Sequence, residues 1–343
     1  MNVATITVGV NPAVIAITPD NRYGYVANNN NYAIPGQDCV TVLDLRTNLP
    51  ITTIFDNSFD EPYRITINKA GTKAYVANSG GSTISIIDIA TNTVTGIITG
   101  FDGPSGIVIK GHRAYVNNYG ATPGVGSGNG TTVRVVDLRT NTIVGPPIVV
   151  GLAPASLART PRGNYIYTAN YVDGNPNTAT LTKIRTSDNT VVSTIGPFAE
   201  NGFSGPYTIR ISGRKAYVTN FGSNNFTPFG TTMSVVDLRR EIITATINLG
   251  IQPSGLAITP NGKYAYVSNY NTLYAYITPP PVQYLNLTPG QGTVNVIDLE
   301  TNRVISTISV SQAPNYIAIS PNGRYAYVIT YIANVVNVIR IPA

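Results

Sequence analysis

The residue types that usually carry catalysis are scarce in this chain. His112 is the only histidine and Cys39 the only cysteine among 343 residues. One imidazole and one thiol cannot assemble a His/Cys zinc site, nor the His-rich copper or haem sites of redox enzymes. A lone cysteine also forbids an intrachain disulfide. No cofactor follows from such a set. The groups left with chemical potential are carboxylates, two arginines and a large set of rings. Asp38, Asp56, Asp60, Glu61, Asp102, Asp173 and Glu200 fall in connecting segments and could chelate Ca²⁺, although no local loop spacing supports it. Arg64 and Arg210, with Tyr316, interrupt a row of small residues; two guanidiniums could hold an anion or pair with Asp60 or Glu61. Tyr32, Tyr119, Tyr171, Phe221, Phe226, Phe229, Tyr270, Tyr274, Tyr276 and Tyr284 lie in long connections, and Tyr63 and Tyr207 just after short ones. Tyrosine pairs an apolar face with a hydroxyl, which suits sugar rings and protein hot spots; the alternative is that these rings pack the loops down.

The elements that would position these groups repeat along the chain. Aligned on Tyr-Val, seven copies appear: Tyr25-Val26-Ala27-Asn28, Tyr75-Val76, Tyr115-Val116, Tyr167-Thr168, Tyr217-Val218, Tyr266-Val267 and Tyr327-Val328. A proline opens each, at Pro12, Pro62, Pro104, Pro154, Pro206, Pro253 and Pro314. Most copies also carry a strand ending in Asp (Asp44, Asp88, Asp137, Asp237, Asp298), with Lys183 in that place in copy four and Arg340 in copy seven. Short β-branched runs alternate apolar and polar residues between turn signals such as Pro-Asn-Gly, the period of half-buried strands. Regular spacing of Tyr25 and its six equivalents assigns them to packing between repeats.

The motif resembles the YVTN-type β-propeller repeats, best known from archaeal and bacterial surface-layer and secreted proteins, and the resemblance covers essentially the whole chain. It implies an all-β, seven-bladed propeller with four antiparallel strands per blade. Residues 1–343 then form one domain. The last copy lacks an outer strand and Val3 to Val8 is an orphan strand, so residues 1–9 should complete the seventh blade. With a strand pattern beginning directly after Met1-Asn2, the sequence reads as carrying no signal peptide. A cell or particle surface is the expected location, the cytoplasm the alternative. No apolar run is long enough to span a bilayer as a helix.

With strands a to d running outward from the axis, topology puts the a–b and c–d turns at one end and the b–c and d–a connections at the other. All the length variation falls on b–c, which makes that end, the top, the expected binding face. Of the 22 Lys and Arg, 16 map to the bottom turns; seven of the 16 acids map to the top, making the ends about +7 and −7. Such polarity favours head-to-tail self-association or docking on an anionic surface. The leading expectation is a non-enzymatic binding or structural propeller that recognises a protein or glycan through the top rings. Nucleic-acid binding through the basic bottom is an alternative, weighed down because aromatic rings are not interleaved with those arginines. A lactonase-like hydrolase using top carboxylates and a divalent metal is the other. Sequons at Asn129, Asn225 and Asn286 read as chance matches in an Asn- and Thr-rich chain, and the Gly-rich Gly124 to Gly130 lacks the Lys-Ser/Thr of a phosphate loop.

Overall fold

A computed structural model describes residues 2–29, 37–120, 128–171, 178–197, 202–222, 229–271 and 290–342, with the backbone of 274–277 and 283–286. Strands account for the regular structure, and they group into seven radial antiparallel sheets. Blade 1 shows the plan. Strand a is Pro12–Ile17, b is Tyr23–Asn28, c is Cys39–Asp44 and d is Leu49–Phe55, each paired with the next. Strand a of each blade contacts strand a of its neighbours all the way round, with blade 7 back against blade 1. The ring is closed by its own termini: Asn2–Thr7 pairs antiparallel with Val335–Arg340, Thr5 opposite Asn337. The ring is a seven-bladed β-propeller.

Local chemistry explains the repeat. In blade 1, Asp44 Oδ1 accepts the Arg46 and Thr47 amides at 2.7 and 3.2 Å, and Asp298 Oδ1 repeats this in blade 6 with Glu300 and Thr301 at 3.0 and 2.8 Å. These are Asx-type turns, with the asparagine that follows (Asn48, Asn92, Asn141, Asn302) at positive φ, which asparagine tolerates. The Tyr25 phenol crosses to blade 2 and donates to Asn92 Oδ1 at 2.6 Å; Tyr115 does the same to Asn189 of blade 4 at 2.8 Å. All seven repeat tyrosines are at most 3% exposed. Seven apolar clusters result, one between each pair of adjacent blades.

Two blades depart from the plan. In blade 3, Pro146 and Pro147 cannot donate to a ladder, and the outer strand splits into Thr142–Ile143 and Ile148–Val149. Blade 4 corrects the alignment drawn from sequence. Tyr165 pairs with Arg185, so Arg185 and not Lys183 stands where other blades have Asp. Lys183 lies opposite Tyr167, in the row held by Val42, Ile86 and Val135 in blades 1 to 3. Its ammonium reaches Glu241 Oε1 of blade 5 at 2.8 Å. Glu241 occupies the positive-φ turn position that asparagine holds elsewhere, so between blades 4 and 5 an ion pair stands where Tyr25 meets Asn92 between blades 1 and 2.

Candidate functional site: the top mouth and the central channel

An eighth apolar cluster lies outside the seven inter-blade cores. It joins Ala153, Ala155, Tyr171 and Phe221, with Tyr119, Tyr207 and Tyr270 packed against it, and so spans the tops of blades 3 to 6. Tyr207 packs at a tilt against Phe221 with ring centres 5.1 Å apart and meets Tyr171 edge-on at 6.0 Å. Phe221 leans on Tyr270 at 6.4 Å. Tyr171 is 1% exposed and Phe221 8%, so these two brace the loops from beneath, while Tyr63, Tyr119, Tyr207, Tyr270 and Tyr316 keep part of their surface open.

The hydroxyls of Tyr63 and Tyr207 share a hydrogen bond. Blades 2 and 5 are three steps apart on a seven-membered ring, so this contact bars the top mouth of the channel. Burial, followed by the Tyr63 phenol's charge, pushes the Tyr207 phenol well above its ordinary value.

Beneath the bar lie Arg64, Arg210 and Tyr316, from strands a of blades 2, 5 and 7 (Pro62–Ile67, Pro206–Ser212 and Pro314–Ile319). Arg210 Nη2 donates to the Tyr316 hydroxyl at 2.9 Å, and Nη1 to the Ile209 carbonyl at 2.8 Å. Arg64 donates from Nε to the Ser105 carbonyl at 3.2 Å and lies between two rings, 4.8 Å from the Tyr316 centre and 5.8 Å from that of Tyr63. Burial would push the Tyr316 phenol up, but the Arg210 and Arg64 charges outweigh it and hold the phenol below the ordinary tyrosine value. Among the described residues neither arginine pairs with Asp60, Glu61 or any other carboxylate. The ion pair expected as their alternative role is not formed.

Of the other residues singled out from sequence, Tyr274, Tyr276 and Tyr284 fall in an added hairpin, Tyr274–Ile277 against Gln283–Asn286, where Tyr276 pairs with Tyr284 along the backbone. Tyr32, Phe226, Asn225, Asp173 and Glu200 lie outside the described residues. His112 sits exposed in the a–b turn of blade 3, at the bottom. Among the described residues no three His, Cys, Asp or Glu side chains gather as metal ligands. At the top, Asp38 Oδ2 accepts the Glu61 amide at 2.8 Å, and burial followed by the Asp38 charge holds the Asp60 carboxyl above its usual range.

At the bottom, Arg22, Arg46, Arg139, Arg162, Arg239, Arg240, Lys263, Arg303 and Arg324 are exposed. Three bottom arginines have acid partners one turn away, Arg46 with Asp44, Arg139 with Asp137 and Arg185 with Asp188. Sequence reasoning missed the rings here. Tyr23, Tyr264 and Tyr325 open strand b beside Arg22, Lys263 and Arg324, and Arg22 stacks over Tyr23 at 5.2 Å. Aromatic and basic residues are therefore interleaved at the bottom after all. The Tyr-Val alignment hid this by counting only the second tyrosine of the strands that carry two. These rings are half-buried in the inter-blade clusters.

No family model matches the chain. A chain of Kuenenia stuttgartiensis hydrazine synthase has the same fold: TM-score 0.76, 19% identity, 96% of each chain covered. At that identity the likeness extends to the fold alone. A 59-residue stretch is 48% identical to part of the PE-PGRS family protein PE_PGRS18 of Mycobacterium tuberculosis (strain ATCC 25618 / H37Rv). The match takes in 17% of this chain and spans 13% of that protein's length.

Proposed function

We propose that the chain is a non-enzymatic binding propeller of the surface-layer-like YVTN type, displayed on a cell or particle surface, whose top face recognises a protein or glycan. One observation carries this reading. The seven inter-blade cores already hold the ring together, yet the top loops of blades 3 to 6 build a further aromatic cluster with half-open tyrosines, and the blade 6 connection adds a hairpin. Half-open tyrosines over a rigid base lose little side-chain freedom on binding, a property of protein and sugar hot spots. The net negative top and basic bottom allow the same ring to stack head to tail, with salt weakening the contact.

The test replaces residues 272–289 by a two-residue turn and compares binding of both proteins to a glycan array and to immobilised surface extract of the producing cell. The reading expects an unchanged melting temperature and loss of the partners bound by the intact protein. Equal binding by the two proteins would overturn it. The interleaved rings and cations of the bottom keep nucleic acid as the rival. A single-stranded oligonucleotide bound at low salt and lost on Lys263→Gln/Arg324→Gln substitution would decide for that rival.

A further inference from the structure

We propose that the central channel is an anion-binding site, open toward the basic bottom, in which Arg64, Arg210 and the Tyr316 hydroxyl grip a small oxyanion: a carboxylate, or a phosphate or sulfate group. The site is independent of the top-face reading. It uses different residues and is reached from the opposite end.

The cavity has a volume of about 750 Å³ and is bounded by strands a of blades 2 to 5 and 7. Its charged lining is all of one sign. Arg64 and Arg210 stand at the upper end, Lys69, Lys110 and Arg159 at the lower, and no carboxylate lines it among the described residues. In the row that supplies Arg64 and Tyr316, the other blades place Val14, Gly106, Ser156, Thr208 and Gly255. The two large polar side chains therefore project where the ring otherwise keeps its lumen wide.

A guanidinium taken out of water without a counter-charge is strongly unfavourable. Arg64 is 9% exposed, and both arginines lie within 6 Å of one ring, 4.8 and 5.9 Å from its centre. Two cations held that close repel each other, and cation–π contact offsets only part of this. The hydrogen bonds they make to the Ser105 and Ile209 carbonyls and to the Tyr316 hydroxyl use a minority of their N–H groups. The missing partner is a negative charge with several acceptor oxygens, and planar guanidiniums match carboxylate or phosphate edges in pairs.

The ends of the channel are unlike. The Tyr63–Tyr207 bar and the aromatic cluster stand across the top. At the bottom, Lys69 and Arg159 are exposed, and Lys110 is tied to Thr186 Oγ1 at 2.7 Å. A field of one sign at a low-dielectric mouth concentrates anions and directs them inward. Access from the basic end follows.

Isothermal titration of the full chain with inorganic phosphate, sulfate, citrate and acetate at constant ionic strength tests this, with chloride as the background salt. The expected result is saturable 1:1 binding of at least one of the four, and their order separates tetrahedral from carboxylate anions. Arg64→Gln and Arg210→Gln should each weaken that binding about tenfold or more, the loss of one charge-assisted contact. Should either variant fail to fold, Val108→Phe narrows the same lumen without altering charge and should also weaken binding about tenfold. Lys263→Gln, at the bottom but outside the channel, should change it less than about twofold. Absence of saturable binding by all four anions would overturn the proposal. So would a loss on Lys263→Gln equal to that on Arg210→Gln, which would mark a diffuse surface effect, or full affinity in a folded Arg210→Gln or Val108→Phe protein.

Discussion

The Lys183–Glu241 pair allows a sharp test of how blades are joined. Its side chains are 15% and 30% exposed, the ion pair closes at 2.8 Å, and Ser193 donates to the same carboxylate oxygen at 2.9 Å. Lys183 also lies 4.7 Å from the Tyr165 ring centre. Removing one partner from a fully buried pair costs about 3–5 kcal/mol, and an exposed pair contributes about 0–1. The intermediate exposure here puts Lys183→Val or Glu241→Asn alone at about 2 kcal/mol of destabilisation. The double variant installs the valine and asparagine of the other blades, so Tyr167 gains the partner that Tyr25 has in Asn92, and asparagine accepts the positive φ of position 241 more readily than glutamate. It should match or exceed the parent, a coupling of about 4 kcal/mol or more.

Guanidinium unfolding of the four proteins at pH 7 measures this coupling. Burial pushes the Glu241 carboxyl up, but hydrogen bonds from Lys183 and Ser193 outweigh it and hold it below its ordinary 4.5. A depressed carboxyl stabilises above its unfolded value and loses that contribution as pH falls through the folded one. Burial lowers the Lys183 ammonium, but the Glu241 hydrogen bond outweighs it and raises it above 10.5, so its contribution holds below that value and fades as pH rises through the folded one. The pair therefore works across the neutral range, and the penalty of Glu241→Asn should shrink below pH 4.5. Single-variant effects that add, with coupling below about 0.5 kcal/mol, would refute the account.

Three further outcomes follow from the same geometry. Asn92→Ala loses both the Tyr25 hydrogen bond and a residue suited to φ 55° and should cost about 2 kcal/mol, whereas Asn92→Gly loses only the bond and should cost about 1, read by denaturant midpoint. Ile6, 3% exposed on the strand that closes the ring, should cost about 2–4 kcal/mol on change to Ala, as large as any blade-core residue; a change below 1 would mean that closure adds nothing. Burial pushes the Cys39 thiol up, so a disulfide reagent at pH 7.5 should label it slowly in the native protein and at the rate of a free thiol in guanidinium.

Sequence periodicity carried the ring itself, because each blade is built from contacts that recur: the opening proline, the buried tyrosine and the Asx turn. Contacts that occur once have no period and were not legible. Tyr63 and Tyr207 are 144 residues apart and meet only because seven blades bring them to one mouth. Lys183 was placed two residues out of register because copy four lacks the Asp that anchors the alignment, and only strand pairing with Tyr167 shows which row it enters. The top rings were found as a set, but not that Tyr171 and Phe221 lie underneath while their neighbours stay half-open. That division depends on loop packing, which no local pattern records.

Departures from the repeat separate into two kinds by whether the molecule answers them. A lysine in a valine row is answered by a glutamate in the next blade, and an outer strand broken by prolines is patched by a second short strand on the same partner. These changes leave no charge unmet and need no ligand to explain them. Arg64 and Arg210 also break a row, but no carboxylate among the described residues comes to meet them, and the side chain they share is a phenol whose ionisation they favour. An uncompensated pair of cations at the centre of a rigid ring is a standing energetic cost that folding alone gives no reason to keep. It becomes reasonable once an anion occupies the lumen for part of the protein's working life. The same comparison separates the two candidate regions: buried top rings answer one another, whereas among the described residues no carboxylate answers the arginines of the channel.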